Sequence, residues 1–151
     1  MPHGNFTKSQ KTALRTWLKL LAVSNQMRKH LQSRLMETHG MSLSRFDVLA
    51  NLYRASNEGL RLSDLSKQLM VSNGNVTQVI APLIKDGLVI RRTSDKDARV
   101  ATVNLSEKGL NRFEAMAADH AQWVEELLST VSAGEQKTIT QTLGLIDLKE
   151  D

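Results

Sequence analysis

The chain has 151 residues, of which 40% are apolar and 4% aromatic, with 20 Lys and Arg against 16 Asp and Glu and no cysteine. This is the composition of a single globular domain, and the lack of cysteine excludes a disulfide scaffold, a thiolate zinc site, a thiol nucleophile and a thiol oxidant sensor. No apolar run approaches the roughly 20 residues that cross a bilayer, and residues 1–5 lack the start of a secretory signal. We therefore expect a cytoplasmic protein without a membrane partner.

The net charge of +4 is unevenly distributed along the chain. Residues 1–40 carry +6 and residues 41–105 carry +3, whereas residues 106–151 carry −5. The pI near 9.6 is therefore a property of the first two segments. A local basic surface is typical of polyanion binders, but it also occurs in proteins that bind no polyanion.

A long helix and a second helix are predicted first. Thr7 and Gln10 have the spacing of a capping box, so a helix should begin near Lys8. Apolar residues follow at helical spacing until Thr38-His-Gly40, which predicts a stop after about 30 residues. A second helix should open at Ser44-Arg-Phe-Asp47 and end at Asn57-Glu-Gly59, with an apolar side formed by Phe46, Leu49, Leu52 and Tyr53.

The next segment predicts a helix-turn-helix. Leu60-Arg-Leu62 is a candidate short strand, and Ser63 with Asp64 should cap a short helix through Leu69. After a tight connection, Ser72 should cap a helix from about 73 to 86, with Gly87 just beyond its end. Two helices joined by such a turn form a helix-turn-helix.

Strands and two further helices complete the predicted fold. Leu88–Arg92 and Val100–Leu105 have strand patterns around a polar turn at 93–99, and this hairpin would be the wing of a winged helix. Ser106 should cap a long helix carrying Phe113, Met116, His120, Val124, Leu127 and Val131. Ser132-Ala-Gly-Glu135 is a second capping box, which predicts a final helix through Ile146. The expected fold is mainly α with a small β-wing, a winged helix-turn-helix with long N- and C-terminal dimerisation helices.

The outer face of the helix after Ser72 suits a DNA major groove. It is small or polar, and Gln or Asn can pair with adenine while Ala can touch a thymine methyl. The candidate recognition residues are Ser72, Asn73, Gly74, Asn75, Thr77, Gln78, Ala81 and Lys85. Pro82 falls within this helix, where we expect a kink rather than a break. An ordinary solvated helix face is the alternative.

The predicted wing carries the remaining candidates for DNA contact. These are Arg91, Arg92, Lys96, Asp97 and Arg99. An arginine at the wing tip can enter a narrow minor groove, which makes Arg99 the first choice. A carboxylate would repel phosphate, so we expect Asp97 to close an Asx-type turn or to hold the arginine in position. A solvated charge run is the alternative.

The local sequences closely resemble those of the MarR family of dimeric winged-helix regulators. The resemblance is close over residues 45–110, and it is carried by the segments 44–49, 60–65, 72–77, 83–92, 97–99 and 105–109. The flanking helices fit the family's dimerisation region, so the resemblance covers nearly the whole chain. It implies one domain over 1–151, with a dimerisation region at 1–40 and 106–151 and a DNA-binding lobe at 41–105. It also implies a homodimer on a pseudo-palindromic operator of double-stranded DNA. The expected activity is that of a repressor released by a small organic ligand, such as an aromatic acid or its acyl-coenzyme A ester.

The same resemblance indicates where a ligand would bind. Family pockets draw residues from positions that match Arg15, Trp17, Met36, His39 and Met41, and an arginine beside a tryptophan suits an aromatic carboxylate. For Trp17 we favour packing in the core or in a dimer interface, and for His120 packing at an interface. Since cysteine is absent and the four histidines are scattered, we expect no metal site, and no cofactor is implied.

The functional classes other than DNA binding are a protein-interaction module and an enzyme. A winged helix can serve as a protein-interaction module without specific DNA binding, and this remains the alternative. An enzyme is not expected, because the sequence has no glycine-rich phosphate loop, nucleophile elbow, H-E-x-x-H motif or paired carboxylates in an apolar setting. No catalytic residues are therefore assigned.

Overall fold

The computed structural model describes residues 4–55, 58–69, 73–93, 96–97 and 99–148. In chain order the elements are α1 (Lys8–His39), α2 (Leu43–Arg54), β1 (Leu60–Arg61), α3 (Leu62–Leu69), α4 (Asn73–Lys85), β2 (Val89–Thr93), β3 (Ala101–Leu105), α5 (Glu107–Leu127) and α6 (Ala133–Leu143). Helices dominate this part of the chain, and the strands are short. The predicted mainly α fold with a small β-wing is confirmed.

Side-chain caps determine where several helices begin. Both capping boxes are present, with Thr7 and Gln10 at the start of α1 and Ser132 and Glu135 at the start of α6. The Ser106 hydroxyl accepts the Gly109 backbone N–H at the start of α5, at 2.9 Å. Each hydroxyl satisfies a backbone donor that the first helical turn leaves unpaired. These predicted helix starts are confirmed.

Two predicted helix starts are wrong. α2 begins at Leu43, one residue early, because Ser42 rather than Ser44 is its N-cap and accepts the Arg45 N–H at 3.2 Å. α3 begins at Leu62, directly after β1, so Ser63 lies inside its first turn and does not cap it. The strand runs straight into the helix and leaves no separate capping residue.

Three helix ends also fall earlier than predicted. α2 ends at Arg54, before the predicted stop at 57–59, of which residue 57 lies outside the described residues. α5 ends at Leu127, short of Val131, because Leu128 leaves the helical conformation. The capping box of Ser132 and Glu135 then starts α6. α6 ends at Leu143, short of Ile146.

The three strands form one antiparallel sheet in the order β1-β3-β2. Val89 lies opposite Leu105 and Thr93 opposite Ala101, which confirms the predicted hairpin. In addition, β1 pairs along the other edge of β3, with Leu60 opposite Val103. The buried Val89, Ala101 and Val103 attach the sheet to the core.

The core lies mainly in the central segment and includes Phe113, Met116 and Trp123 of α5, whereas α1 and α6 are largely uncovered. Leu49, Leu65, Leu83, Leu88, Val76 and Val103 are among its fully buried side chains. Only Leu31 and Leu35 of α1 are buried, and α6 buries none of its residues. In the described part of the chain, no helix is long and apolar enough to span a membrane.

Candidate nucleic-acid interface

Helix α4 has one buried and one exposed face. Val76, Ile80 and Leu83 are buried, which fixes the rotation of the helix on the core. The opposite face exposes Gly74, Asn75, Thr77, Gln78, Ala81 and Lys85. Ser72 lies outside the described residues, as does the side chain of Asn73, the first residue of α4. The described recognition residues therefore share one solvent-facing surface.

Pro82 lies within α4 and does not break it. α4 continues through it, and the Pro82 carbonyl accepts the Asp86 N–H at 2.9 Å. The prediction that the helix does not break is confirmed, although Pro82 is half-buried rather than fully on the outer face. Gly87 then adopts a left-handed conformation with φ of 75°, which ends the helix and directs the chain into β2.

The start of α5 holds the turn between α4 and the wing. The Ser106 N–H donates to the Leu88 carbonyl at 3.0 Å, and the Ser106 hydroxyl donates to the carbonyl of Gly87. The Lys108 ammonium donates to the Asp86 carbonyl at 3.0 Å. These contacts link α5 directly to the end of the candidate recognition helix.

Asp97 holds Arg99 in the wing turn. Its Oδ1 accepts the Arg99 backbone N–H at 3.0 Å and the Arg99 Nε at 3.2 Å. These bonds, the backbone bond first, lower the pKa of Asp97, so its carboxylate stays charged. Both predicted roles, the Asx-type turn and the positioning of arginine, are present. The Arg99 side chain remains 92% exposed, so it is oriented and accessible at once.

The two arginines of β2 line different grooves, because successive strand residues point to opposite faces of a sheet. Arg91 lines a groove of about 320 Å³ with Thr77, Arg61 and Arg99, which we call the inner wing groove. Arg92 lines a groove of about 510 Å³ on the other side, which we call the outer wing groove; its further lining includes Tyr53, Ile90, Glu107 and Leu110. Lys96 is exposed in the wing turn. The structure therefore brings Arg91 and Arg99 together beside α4, and it separates Arg92 from them.

Arg61 is the basic residue of the inner wing groove that the sequence analysis missed. It ends β1, and the pairing of β1 with β3 brings it to the wing. A brief strand before a short helix was visible in the sequence. The partner of that strand was not, since the pairing spans about forty residues.

The candidate ligand residues do not meet within one chain. Met36 and His39 lie near the end of α1 and Met41 is buried beside it, whereas Arg15 and Trp17 lie near its start. A rise of 1.5 Å per residue separates Trp17 from Met36 by about 28 Å. A pocket that uses both groups would need a second subunit.

Contacts around His39 and Trp123 join α1 to α5. The His39 ring contacts the Asp119 carboxylate at 2.7 Å, and the Arg112 guanidinium donates to the His39 carbonyl at 2.9 Å. Trp123 is buried, and the Arg34 guanidinium lies 5.1 Å from its ring centre. Trp123 was not among the predicted core residues, although it shares the apolar face of α5 with Met116.

His120 packs between α5 and α2. Its ring lies 4.6 Å from the Phe46 ring, centre to centre. Burial lowers the pKa of His120, and the nearby Asp47 carboxylate opposes part of that effect. Asp47 also pairs with Arg28 of α1 at 3.3 Å. Within the described ranges, His, Asp and Glu nowhere form a group of three that would hold a metal ion.

Comparisons with known proteins agree with this architecture. A model described as the MarR family matches residues 41–101. The crystal structure of a MarR family transcriptional regulator from Silicibacter pomeroyi is 30% identical, with a TM-score of 0.78, and covers 91% of this chain and 94% of that chain. The chain belongs to the MarR family. The resemblance inferred from six short segments is thereby confirmed.

Two further relatives extend the MarR-family comparison. The HTH-type transcriptional regulator MhqR of Bacillus subtilis (strain 168) is 28% identical over 127 residues, which cover 84% of this chain and 83% of MhqR. Sco3205, a MarR family transcriptional regulator from Streptomyces coelicolor solved in complex with DNA, has a TM-score of 0.78 at 20% identity. The match covers 93% of this chain and 86% of Sco3205, and it shows a shared fold. MarR-family proteins are transcriptional regulators and not enzymes.

Proposed function

We propose that this MarR-family regulator is a cytoplasmic repressor that binds a pseudo-palindromic DNA operator as a homodimer. The exposed face of α4 would read bases in the major groove, and Arg99 would enter the adjacent minor groove. The observation that carries this proposal is the Asp97–Arg99 contact, which holds a 92% exposed guanidinium at the wing beside α4. Sco3205, which has the same fold, was solved in complex with DNA, and this supports DNA as the partner.

The experiment is an anisotropy titration of a duplex that the protein selects from a random pool. Arg99→Ala should weaken binding tenfold or more, without a change in melting temperature, because the exposed side chain contributes no packing. Arg54→Ala, which removes an exposed cation of α2 outside both wing grooves, is the control and should leave affinity unchanged. Unchanged affinity of Arg99→Ala would remove the wing from the mechanism.

Salt dependence distinguishes DNA binding from the alternative of a protein-interaction module. A protein that neutralises phosphates loses affinity linearly in log salt, with a slope set by the number of contacts. We expect such a slope for the wild type. A flat dependence, with no duplex enriched from the pool, would favour the protein-interaction module.

The dimer proposal rests on apolar surface that a single chain leaves uncovered. Leu14, Trp17, Leu18, Leu21 and Val23 of α1 are exposed, as are Ile139, Leu143, Leu145, Ile146 and Leu148 at the C-terminal end. Exposed apolar surface of this extent is typical of association sites. We assign residues 1–40 and 106–151 to dimerisation and residues 41–105 to the DNA-binding lobe. A second subunit would also bring its own Arg15 and Trp17 to the assembly.

The outer wing groove is our proposed site for a small organic acid. Tyr53, Ile90 and Leu110 give it apolar walls that are partly exposed, and Arg92 provides a cation for a carboxylate. The groove lies between α2, the wing and the start of α5, so a ligand there would contact both proposed regions. A ligand that prefers one arrangement of lobe and dimer would shift the population away from DNA.

Benzoate and benzoyl-coenzyme A are suitable probes for this site. We expect one of them to raise the melting temperature and to release the selected duplex, because it binds only the folded state. Arg92→Gln distinguishes a role in ligand binding from a role in DNA binding. If the variant keeps its DNA affinity but the ligand no longer releases the duplex, Arg92 belongs to the effector site. Weaker DNA binding with an intact ligand response would instead make Arg92 a DNA contact.

A further inference from the structure

We infer that Arg61 binds a DNA phosphate, in the inner wing groove beside Arg91 and Arg99. This inference rests on the proposed DNA-binding function and adds to it a contact outside both the recognition helix and the wing hairpin. It follows from where β1 lies, from the charges of the groove and from the direction in which the groove runs.

The backbone of Arg61 is fixed on both sides. Its Cα lies opposite that of Thr102 in the β1–β3 pairing, and α3 begins at the next residue. Neither the strand nor the helix can shift without loss of main-chain hydrogen bonds. The exposed side chain therefore starts from a rigid position, which reduces the ordering that binding would require.

The inner wing groove concentrates positive charge. Arg61, Arg91 and Arg99 all line a space of about 320 Å³. Among the described residues, neither Arg61 nor Arg91 has a carboxylate within 4.0 Å, and Asp97 is already paired with Arg99. Arg61 and Arg91, two like charges without a paired carboxylate among the described residues, attract an anion from solution.

The anion that fits this groove is a phosphodiester of the DNA backbone. Thr77 of α4 lines the groove together with Arg99 of the wing, so the groove runs from the recognition helix to the wing. A duplex that occupies both elements must carry its backbone past this point. Arginine recognises phosphate through its planar set of donors, and such contacts position a protein without reading sequence.

We therefore expect Arg61→Ala to lower the affinity for every duplex to a similar extent. Affinity should fall by roughly tenfold or more on the selected duplex and on a scrambled duplex of the same composition. The salt slope should decrease by about 0.9 for each subunit, hence by about 1.8 for a dimer. Arg61→Lys, which keeps the charge, should retain most of the slope.

Arg54→Ala is the matched control, since Arg54 is an exposed arginine of the same lobe outside the groove. It should keep the wild-type slope. Melting temperatures of all variants are measured, and Arg61→Gln replaces Arg61→Ala if the alanine variant is less stable. A wild-type slope for the folded Arg61 variants, or a loss confined to the selected duplex, would overturn the phosphate contact. Failure of the wild type to bind any duplex would instead overturn the proposed function itself.

Discussion

Gly109 lies where α5 meets the turn between α4 and the wing. A Cβ at this position would overlap the Leu88 carbonyl oxygen and come within 2.9 Å of its carbon. The oxygen cannot move away freely, because it accepts the Ser106 N–H at 3.0 Å. Overpacking costs about 1–3 kcal/mol, and a rigid backbone neighbour puts this site at the upper end. The higher helix propensity of alanine offsets up to about 1 kcal/mol of this cost, so Gly109→Ala should lower the free energy of unfolding by about 2 kcal/mol.

The assay is thermal unfolding at fixed protein concentration. For a chain of this size, about 2 kcal/mol corresponds to a fall in melting temperature of roughly 4–8 °C. Gly134→Ala is the control: it lies in the first turn of α6, a Cβ there has nothing within 4 Å, and its melting temperature should be unchanged or slightly higher. A Gly109→Ala variant as stable as Gly134→Ala would refute the close packing of α5 on the turn.

Three other predictions concern stability and assembly. Burial lowers the pKa of His120 below 6.5, so protonation of this side chain opposes folding. The free energy of unfolding, measured by chemical denaturation, should therefore fall as pH drops below about 6.5. His120→Gln should remove this part of the pH dependence. Ser106→Ala should lower the free energy of unfolding by about 1 kcal/mol through loss of the helix cap, while Ser129→Ala, on the exposed surface, should not, as urea titration will show. Leu18→Glu should shift the protein from dimer to monomer in sedimentation, whereas an unchanged mass would exclude this part of α1 from the interface.

Local sequence patterns correctly predicted those helix starts whose stabilising hydrogen bonds join residues close together in the chain. The Thr7 and Ser132 capping boxes located two helix starts to the residue, because each cap bonds a group three residues away. The same logic failed at Ser63. Tertiary pairing of β1 with β3 carries the strand directly into α3 there, and no local pattern records that pairing.

The sequence predicted which residues of α4 and the wing form the candidate interface, but only part of their arrangement in space. The exposed face of α4 followed from helical periodicity, and the Asp97–Arg99 contact followed from a two-residue spacing. The separation of Arg91 from Arg92 follows from strand alternation once the strand is established. The position of Arg61 depends on the pairing of distant segments, which a single sequence does not display. The distance between Trp17 and His39, by contrast, follows from the length of α1, which the sequence predicted.

Selection from a random duplex pool, followed by footprinting, determines whether a symmetric dimer of this chain recognises a specific DNA sequence. We predict an enriched site with two-fold symmetry, whose half-sites are one helical turn, about 10–10.5 bp, or a multiple of it apart. Protection should cover both half-sites equally. Recovery of unselected sequences, or of a single asymmetric site protected on one side only, would contradict this prediction.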